Sequence, residues 1–470
     1  VEEHIYRQRY KFLLVSAFSA FLGTLDASIV NVSLPTLSRA FSVSIDVVAW
    51  VVLGYALAVS ATLLVVGRLA TKRGYRFVYV IGFGLFTGGS LLCAFAGTIY
   101  QLIAFRVAQG VGASFLMASG PALITRAFPV NERGRGLGIL GTVVGVGLMT
   151  GPPLGGFLVT AVSWHAIFLI NVPVGIVGVF YCSRLLKVLP PDHPESRIDY
   201  WGGAYQAIGV ICLLLFLNRL DSTAWPQWVL YVILGVSVIG FAAFFRRETR
   251  AEHPLVGLSI FKEKQFSIAV AAMLLTFTCT SSLVVLIPFY LEDVLKLLPS
   301  QVGLVLVSVP IITAIAAPLS GRISDAIGYR FLTTFGLAIL FVGLLFAATL
   351  DSHSTPWDVV LRLLIIGVGA GVFQAPNSTA MMSAVPRKVI GVASGLLAVT
   401  RNIGISGGVA VSTAVFMYRQ QVYLKSMDKT AAFIHAFSWV ITTFAFLVLL
   451  AAIISILRKN RAPDHVTGDR

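Results

Sequence analysis

Charge is what this chain has least of. Only 12% of its 470 residues are Asp, Glu, Lys or Arg and 57% are hydrophobic, against roughly 25% and 45–50% in soluble domains. So little charge cannot dress a water-facing surface, and a soluble globular fold is excluded. Cysteine is rare too. Cys93, Cys182, Cys212 and Cys279 all fall in apolar runs with neither metal-type nor disulfide-type spacing, and read as free packing thiols. There is no glycine-rich phosphate loop, which argues against ATP as an energy source. The histidines scatter over termini and loops, apart from His435 at the start of an apolar run, so neither a metal site nor a histidine base is expected.

Apolar sequence is abundant. Runs of about 18 to 25 residues, each long enough to cross roughly 30 Å of hydrocarbon as a helix, recur near 12–34, 47–70, 77–96, 101–123, 137–160, 165–187, 201–218, 227–245, 267–292, 302–320, 331–350, 357–384, 391–416 and 435–457. No soluble domain is left over. The first run is followed at once by another and keeps an acid in its middle, unlike a cleaved signal peptide.

The net charge of +15 is unevenly spread. With the N-terminus inside, 26 of the 35 Lys and Arg fall in inner segments and six in outer ones, while Arg106, Arg362 and Arg401 lie within spans. Basic residues mark cytoplasmic loops. Both termini are therefore expected in the cytoplasm, in the cell inner membrane, with the lipid bilayer rather than nucleic acid as partner.

The chain also repeats itself. GRLATKRGYR at 67–76 and GRISDAIGYR at 321–330 share Gly, Arg, Gly, Tyr and Arg in register, each after an even-numbered span. This predicts an all-α membrane protein of two six-helix bundles with two additional helices inserted between them. The expected division is 1–189 for the first bundle, 190–250 for linker and extra helices, 251–460 for the second bundle and 461–470 for a cytoplasmic tail. PPDHPESRID at 190–199 reads as the linker. Trp201, Trp225 and Trp228 read as interfacial anchors of the extra hairpin. Repeated halves are how many secondary transporters build a site near the midplane.

Deep polar residues are the candidate site. Asp26 lies about eight residues, or roughly 12 Å, from the outer end of span 1. A carboxylate there is costly and functional by default. Arg106 on span 4 lies at similar depth, so a structural ion pair and a proton-handling pair are both open. In the second half, Arg401 and Gln374 are placed to meet across the bundle, with Asn377 and Asn402 nearby; Asn31 and Asn171 are candidates in the first half. Each amide is equally open to an interhelical hydrogen bond. Trp50, Tyr55, Phe277 and Phe289 are candidates for aromatic walls. An intramembrane enzyme would need a His/Asp, Ser/His or metal constellation at common depth, and only Asp26 and Arg106 form a deep charged pair.

In the repeated motif, Gly67 and Gly74 are expected to turn a short loop, with Arg68, Lys72, Arg73 and Arg76 as cytoplasmic anchors. On span 5, Gly141, Gly145, Gly147, Gly151 and Gly155 let backbones approach closely. Pro152 and Pro153 are expected to interrupt that helix. Together with RVAQGVGAS at 106–114, GVGLMTGPPLGG at 145–156, LDASIVNVSLPTL at 25–37 and WHAIFLINVPVG at 164–175, these elements resemble the major facilitator superfamily, fourteen-helix drug/proton antiporter branch. The resemblance covers nearly the whole chain. It departs where Thr71 replaces the usual acid of the first motif copy, which Asp325 keeps in the second, and where His165 and Ala166 replace Arg and Trp.

The resemblance implies a proton-coupled antiporter exporting small amphiphilic drugs, biocides or dyes by alternating access. It would work as a monomer and without cofactor, Arg106 tuning the proton affinity of Asp26. Export of a metabolite, siderophore or lipid is the alternative on the same fold, and a periplasmic adaptor is left open. The same resemblance gives Gly67, Arg68, Gly74, Arg76, Gly321, Asp325, Gly328 and Arg330 a clamp role between the halves. It gives Gly147, Gly151, Pro152 and Gly155 a sealing role. For orientation, a cysteine placed at Ser426 is expected to react with an impermeant thiol reagent from outside while one placed at Ser196 does not. The opposite labelling would invert the topology.

Overall fold

The computed structural model describes residues 6, 8–129, 132–186, 198–219, 226–251, 255, 258–385 and 390–458. The expected linker, apart from Ile198 and Asp199, lies outside these residues, as do Trp225, the tail and the Asp325 side chain. Every apolar run is a helix: α1 Arg9–Ala40, α2 Trp50–Arg73, α3 Tyr75–Ala94, α4 Ile99–Ala127, α5 Arg133–Ala161, α6 Asn171–Leu185, α7 Tyr200–Arg219, α8 Gln227–Glu248, α9 Lys264–Phe289, α10 Ser308–Ile327, α11 Tyr329–Ala347, α12 Pro356–Ser383, α13 Ile390–Tyr423 and α14 Lys429–Ile456. Hydrocarbon cannot satisfy backbone polar groups, so a spanning segment must bond its own amides. Polar side chains set several starts. Thr98 accepts the Gln101 amide before α4, Thr355 and Asp358 form a capping box on α12, and Asp428 caps α14.

Contacts group the chain into two units. One comprises Val1–Gly257, Lys296–Leu304 and Val409–Ala414; the other comprises Leu258–Leu295, Val305–Gly408 and Val415–Arg470. Within the first, α4 packs on α1, α2 and α3, and α6 packs on α1 and α3. Within the second, α12 packs on α9, α10 and α11, and α14 packs on α9 and α11. The same neighbours recur when α1–α6 is laid on α9–α14. The extra helices α7 and α8 pack on each other, and α7 lies against α2, where Gln206 Nε2 donates to the Ser60 carbonyl at 3.1 Å. Asp199 joins this hairpin by accepting from Arg247 Nε at 2.6 Å and from the Gly202 amide. Trp201 and Trp228 are exposed on it.

Three expectations are corrected. Gly67 is not in a loop, because α2 runs unbroken to Arg73 and only Gly74 leaves the helical region, at φ 88° and ψ 156°. The second copy does the same at Gly328, φ 85° and ψ 161°, with Gly321 helical. A single glycine at positive φ, a conformation open to it because it has no Cβ, turns the chain from one helix into the next. Pro152 and Pro153 do not interrupt α5. The helix runs on through the two lost donors while seated closely on α1: a Cβ on Gly151 or Gly155 would come within 2.7 Å of Ser28 Cβ or the Ile29 carbonyl. The glycine contact is also narrower than expected. Gly147, Gly151 and Gly155 meet α1, whereas Gly141 and Gly145, on another face, have open space.

The positive-φ corner of Gly74 and Gly328 is nearly closed to other residues and costs on the order of 1–3 kcal/mol when occupied by one. Gly74→Ala and Gly328→Ala are expected to lower stability by about that much, read as a lower thermal midpoint of purified protein. Gly67→Ala, helical and facing open space, is expected to be neutral or mildly stabilising.

Candidate functional site

The first unit buries Asp26 and Arg106 side by side. Arg106 and Gln109, three residues apart on α4, point the same way, as do Ser90 and Cys93 on α3. Asp26 comes from α1, Val51 and Tyr55 from α2, and Asn171 from the first turn of α6. Two glycines that follow Gln109 on α4 allow this convergence. A Cβ on Gly110 would lie 2.6 Å from the Tyr55 carbonyl, and one on Gly112 would strike the Phe86 backbone. Gly89 answers from α3, where a Cβ would meet the Gln109 backbone at 2.7 Å. RVAQGVGAS is thus a helix with small residues toward both neighbours and polar ones between.

Asp26 accepts three hydrogen bonds. Arg106 Nη1 donates to Oδ2 at 2.7 Å; Gln109 Nε2 and Asn171 Nδ2 donate to Oδ1 at 2.9 and 2.8 Å. Arg106 has further partners: Nη1 reaches Gln109 Oε1 at 2.6 Å, Nε reaches the Val51 carbonyl at 3.1 Å, and the guanidinium carbon sits 4.2 Å from the centre of the Tyr55 ring. Gln109 Nε2 also donates to Ser90 Oγ at 2.6 Å, and the Cys93 thiol lies 3.8 Å from Gln109 Oε1. Asp26, Gln109 and Asn171 are 0% exposed and Arg106 is 1% exposed. Two atoms are left over. Tyr55 Oη and Asn171 Oδ1 are buried without partners.

The expected Asp26–Arg106 pair is therefore formed, and Asn171 and Tyr55 join it. Gln109 was missed by sequence reasoning, although its i+3 spacing from Arg106 and the glycines that follow it were there to read. Asn31 is half-buried with Oδ1 unpartnered, and Trp50 is half-buried at the start of α2; neither hydrogen-bonds to Asp26.

The second unit is arranged otherwise. Arg401 is half-buried on α13 and, among the described residues, has no hydrogen bond, ion pair or ring contact; it does not meet Gln374 as expected. The two side chains sit on different helices whose rotation sequence cannot set. Asn377 instead donates to the Ala269 carbonyl at 3.2 Å and accepts from Arg458 Nη2 at 2.6 Å. Arg458, just past the end of α14, is 1% exposed. Asn402 Nδ2 and Ser406 Oγ are buried without partners. Phe277 is half-buried beside Gly404, and Phe289 is buried. His165 stacks on Trp164 at 3.7 Å, and the four cysteines are free.

A buried carboxylate held by a buried arginine can store charge or exchange a proton. The comparisons agree with a carrier. The chain is 31% identical over 460 residues to riboflavin transporter RibZ of Clostridioides difficile, covering 97% of this chain and 99% of that one. It is 32% identical over 404 residues to multidrug resistance protein Stp of Mycobacterium tuberculosis, covering 86% and 75%. The crystal structure of a bacterial homolog of the human lysosomal transporter Spinster shares the fold, with TM-score 0.68, 15% identity and 96% of each chain covered. The Major Facilitator Superfamily pattern matches residues 16–409. By that match and these nearly full-length relatives, the chain belongs to the Major Facilitator Superfamily and is a multi-span membrane transporter, not an enzyme.

Proposed function

We propose that this transporter is a proton-coupled exporter of small amphiphilic compounds such as drugs, biocides or dyes. It works by alternating access in the cytoplasmic membrane with both termini inside. Asp26 is the proton carrier and Arg106 its switch. The observation that carries this reading is the fully buried Asp26 carboxylate, tied to an arginine and two amides on two other helices. Burial favours a neutral carboxyl, and an adjacent guanidinium favours the anion, so a change in their separation changes proton occupancy.

The surrounding atoms suit such an exchange. When Asp26 takes a proton, Arg106 loses its counter-ion but keeps the Val51 carbonyl, Gln109 Oε1 and the Tyr55 ring face. The new carboxyl O–H needs an acceptor. Asn171 Oδ1, buried and unpartnered, supplies one if the amide turns over. The same atoms thus serve both protonation states, and the proton's arrival releases α4 from α1. The relative named for multidrug resistance supports the substrate class.

A second reading is export of an endogenous metabolite. Its support is the riboflavin transporter, which matches this chain from end to end more fully than the multidrug relative does. Everted vesicles loaded in parallel with riboflavin and with a fluorescent amphiphilic dye separate the two.

Asp26→Asn keeps the size and most hydrogen bonds of the site, and is expected to abolish accumulation driven by an imposed pH gradient in vesicles of folded protein. Arg106→Ala strands the carboxylate and is expected to cost about 3–5 kcal/mol as well as transport. Arg106→Lys is expected to recover stability but not full coupling. Concentrative uptake by folded Asp26→Asn protein in response to the gradient would make Asp26 merely structural.

A further inference from the structure

The two units treat buried charge in opposite ways. In the first, Arg106 is neutralised by Asp26. In the second, Arg401 stands eleven residues into α13, about 17 Å along the helix axis, with no charged partner among the described residues. Sequence alone explains the vacancy of partners: α9, α11, α13 and α14 contain no Asp or Glu. The acids of α10 and α12, Asp325 and Asp358, stand within a turn of a helix end, and Asp358 faces Arg362 at 3.6 Å.

Two further donors lie within a turn and a half of Arg401. Asn402 is 7% exposed with Nδ2 unpartnered, and Ser406 is 0% exposed with Oγ unpartnered. A cation at this depth in a membrane is held only with a counter-charge or a water-filled space beside it. Asn402 and Ser406, four residues apart, share one face of α13, and the long Arg401 side chain stems from the adjoining face, so guanidinium, amide N–H and hydroxyl offer donors along one stretch of the helix.

We infer that α13 carries a binding site for a negatively charged group of the transported amphiphile, such as a carboxylate, phenolate or enolate on an aromatic body, with Arg401 as its counter-ion and Asn402 and Ser406 as flanking donors. The inference rests on the transport reading above and narrows its substrate class. The site favours an anionic or zwitterionic amphiphile over its neutral analogue and disfavours a dication, for which the second unit offers repulsion. Its chemistry would also accept inorganic chloride, and the test separates these sources.

The full-length protein is placed in nanodiscs of zwitterionic phosphatidylcholine, and binding of fluorescent naphthoate and of its methyl ester is measured against empty nanodiscs. No gradient is applied, so a failure of proton coupling at Asp26 leaves this result readable. The wild type is expected to bind naphthoate about tenfold more tightly than the ester, which corresponds to about 1.4 kcal/mol. Arg401→Gln is expected to erase the difference and Arg401→Lys to keep part of it. Replacing chloride by gluconate is expected to leave naphthoate binding unchanged. If Arg401→Gln does not yield folded protein by size exclusion, the Asn402→Leu, Ser406→Ala double variant is read instead, with weaker naphthoate and unchanged ester binding expected. Equal binding of acid and ester by the wild type, an undiminished preference in the variant, or displacement of naphthoate by chloride would each overturn the assignment.

Discussion

A carboxylate placed where water does not reach must be surrounded by donors, and most of the first unit's organisation follows from meeting that demand at Asp26. Arg106 and Gln109 must face the same way on α4, which their three-residue spacing ensures. Asn171 must stand at the start of α6, where a short helix Ala166–Leu169 delivers it. Once Arg106 is there it too needs partners, and the Val51 carbonyl and Tyr55 ring on α2 provide them. Removing Arg106 leaves Asp26 Oδ2 buried without its donor, a cost of about 1–3 kcal/mol for a neutral group and more for a charge.

Such convergence requires backbones closer than side chains normally permit. Gly110 and Gly112 bring α4 against α2 and α3, and Gly147, Gly151 and Gly155 bring α5 against α1. The second unit keeps this scaffold without the acid. Gly371 approaches Ala316 and Ala317 on α10 as Gly110 approaches Tyr55, and Gly369 and Gly336 seat α11 on α12 as Gly112 and Gly89 seat α3 on α4. The repeat therefore preserves the packing while the chemistry diverges: a neutral pair in one unit, and in the other an arginine with no charged partner among the described residues.

This division has a mechanical meaning for a carrier. Packing contacts between glycines and neighbouring backbones are short-ranged and tolerate little movement. A charged hydrogen-bond network can change with one proton, because the proton removes the carboxylate's charge and with it the Coulomb attraction to the guanidinium. The rigid element and the switchable element are thus built from different residues of the same motif, with Gly110 beside Gln109 and Gly112 two positions further on.

The amino-acid sequence by itself determined the number and place of the spans, the internal repeat and the candidacy of Asp26 and Arg106. Hydropathy adds up locally along the chain, and a lone acid within an apolar run needs no fold to be conspicuous. Tertiary structure decided the rest. It showed that Gln109 and Asn171 close the circle around Asp26, that Arg458 is buried on Asn377, and that Arg401 and Gln374 do not meet. It also showed that α2 and α5 run through residues expected to turn or break them. The reason is that helices apolar on nearly every face carry no periodic signal of which face turns inward. The partner of a deep polar residue depends on that rotation, and only packed neighbours settle it.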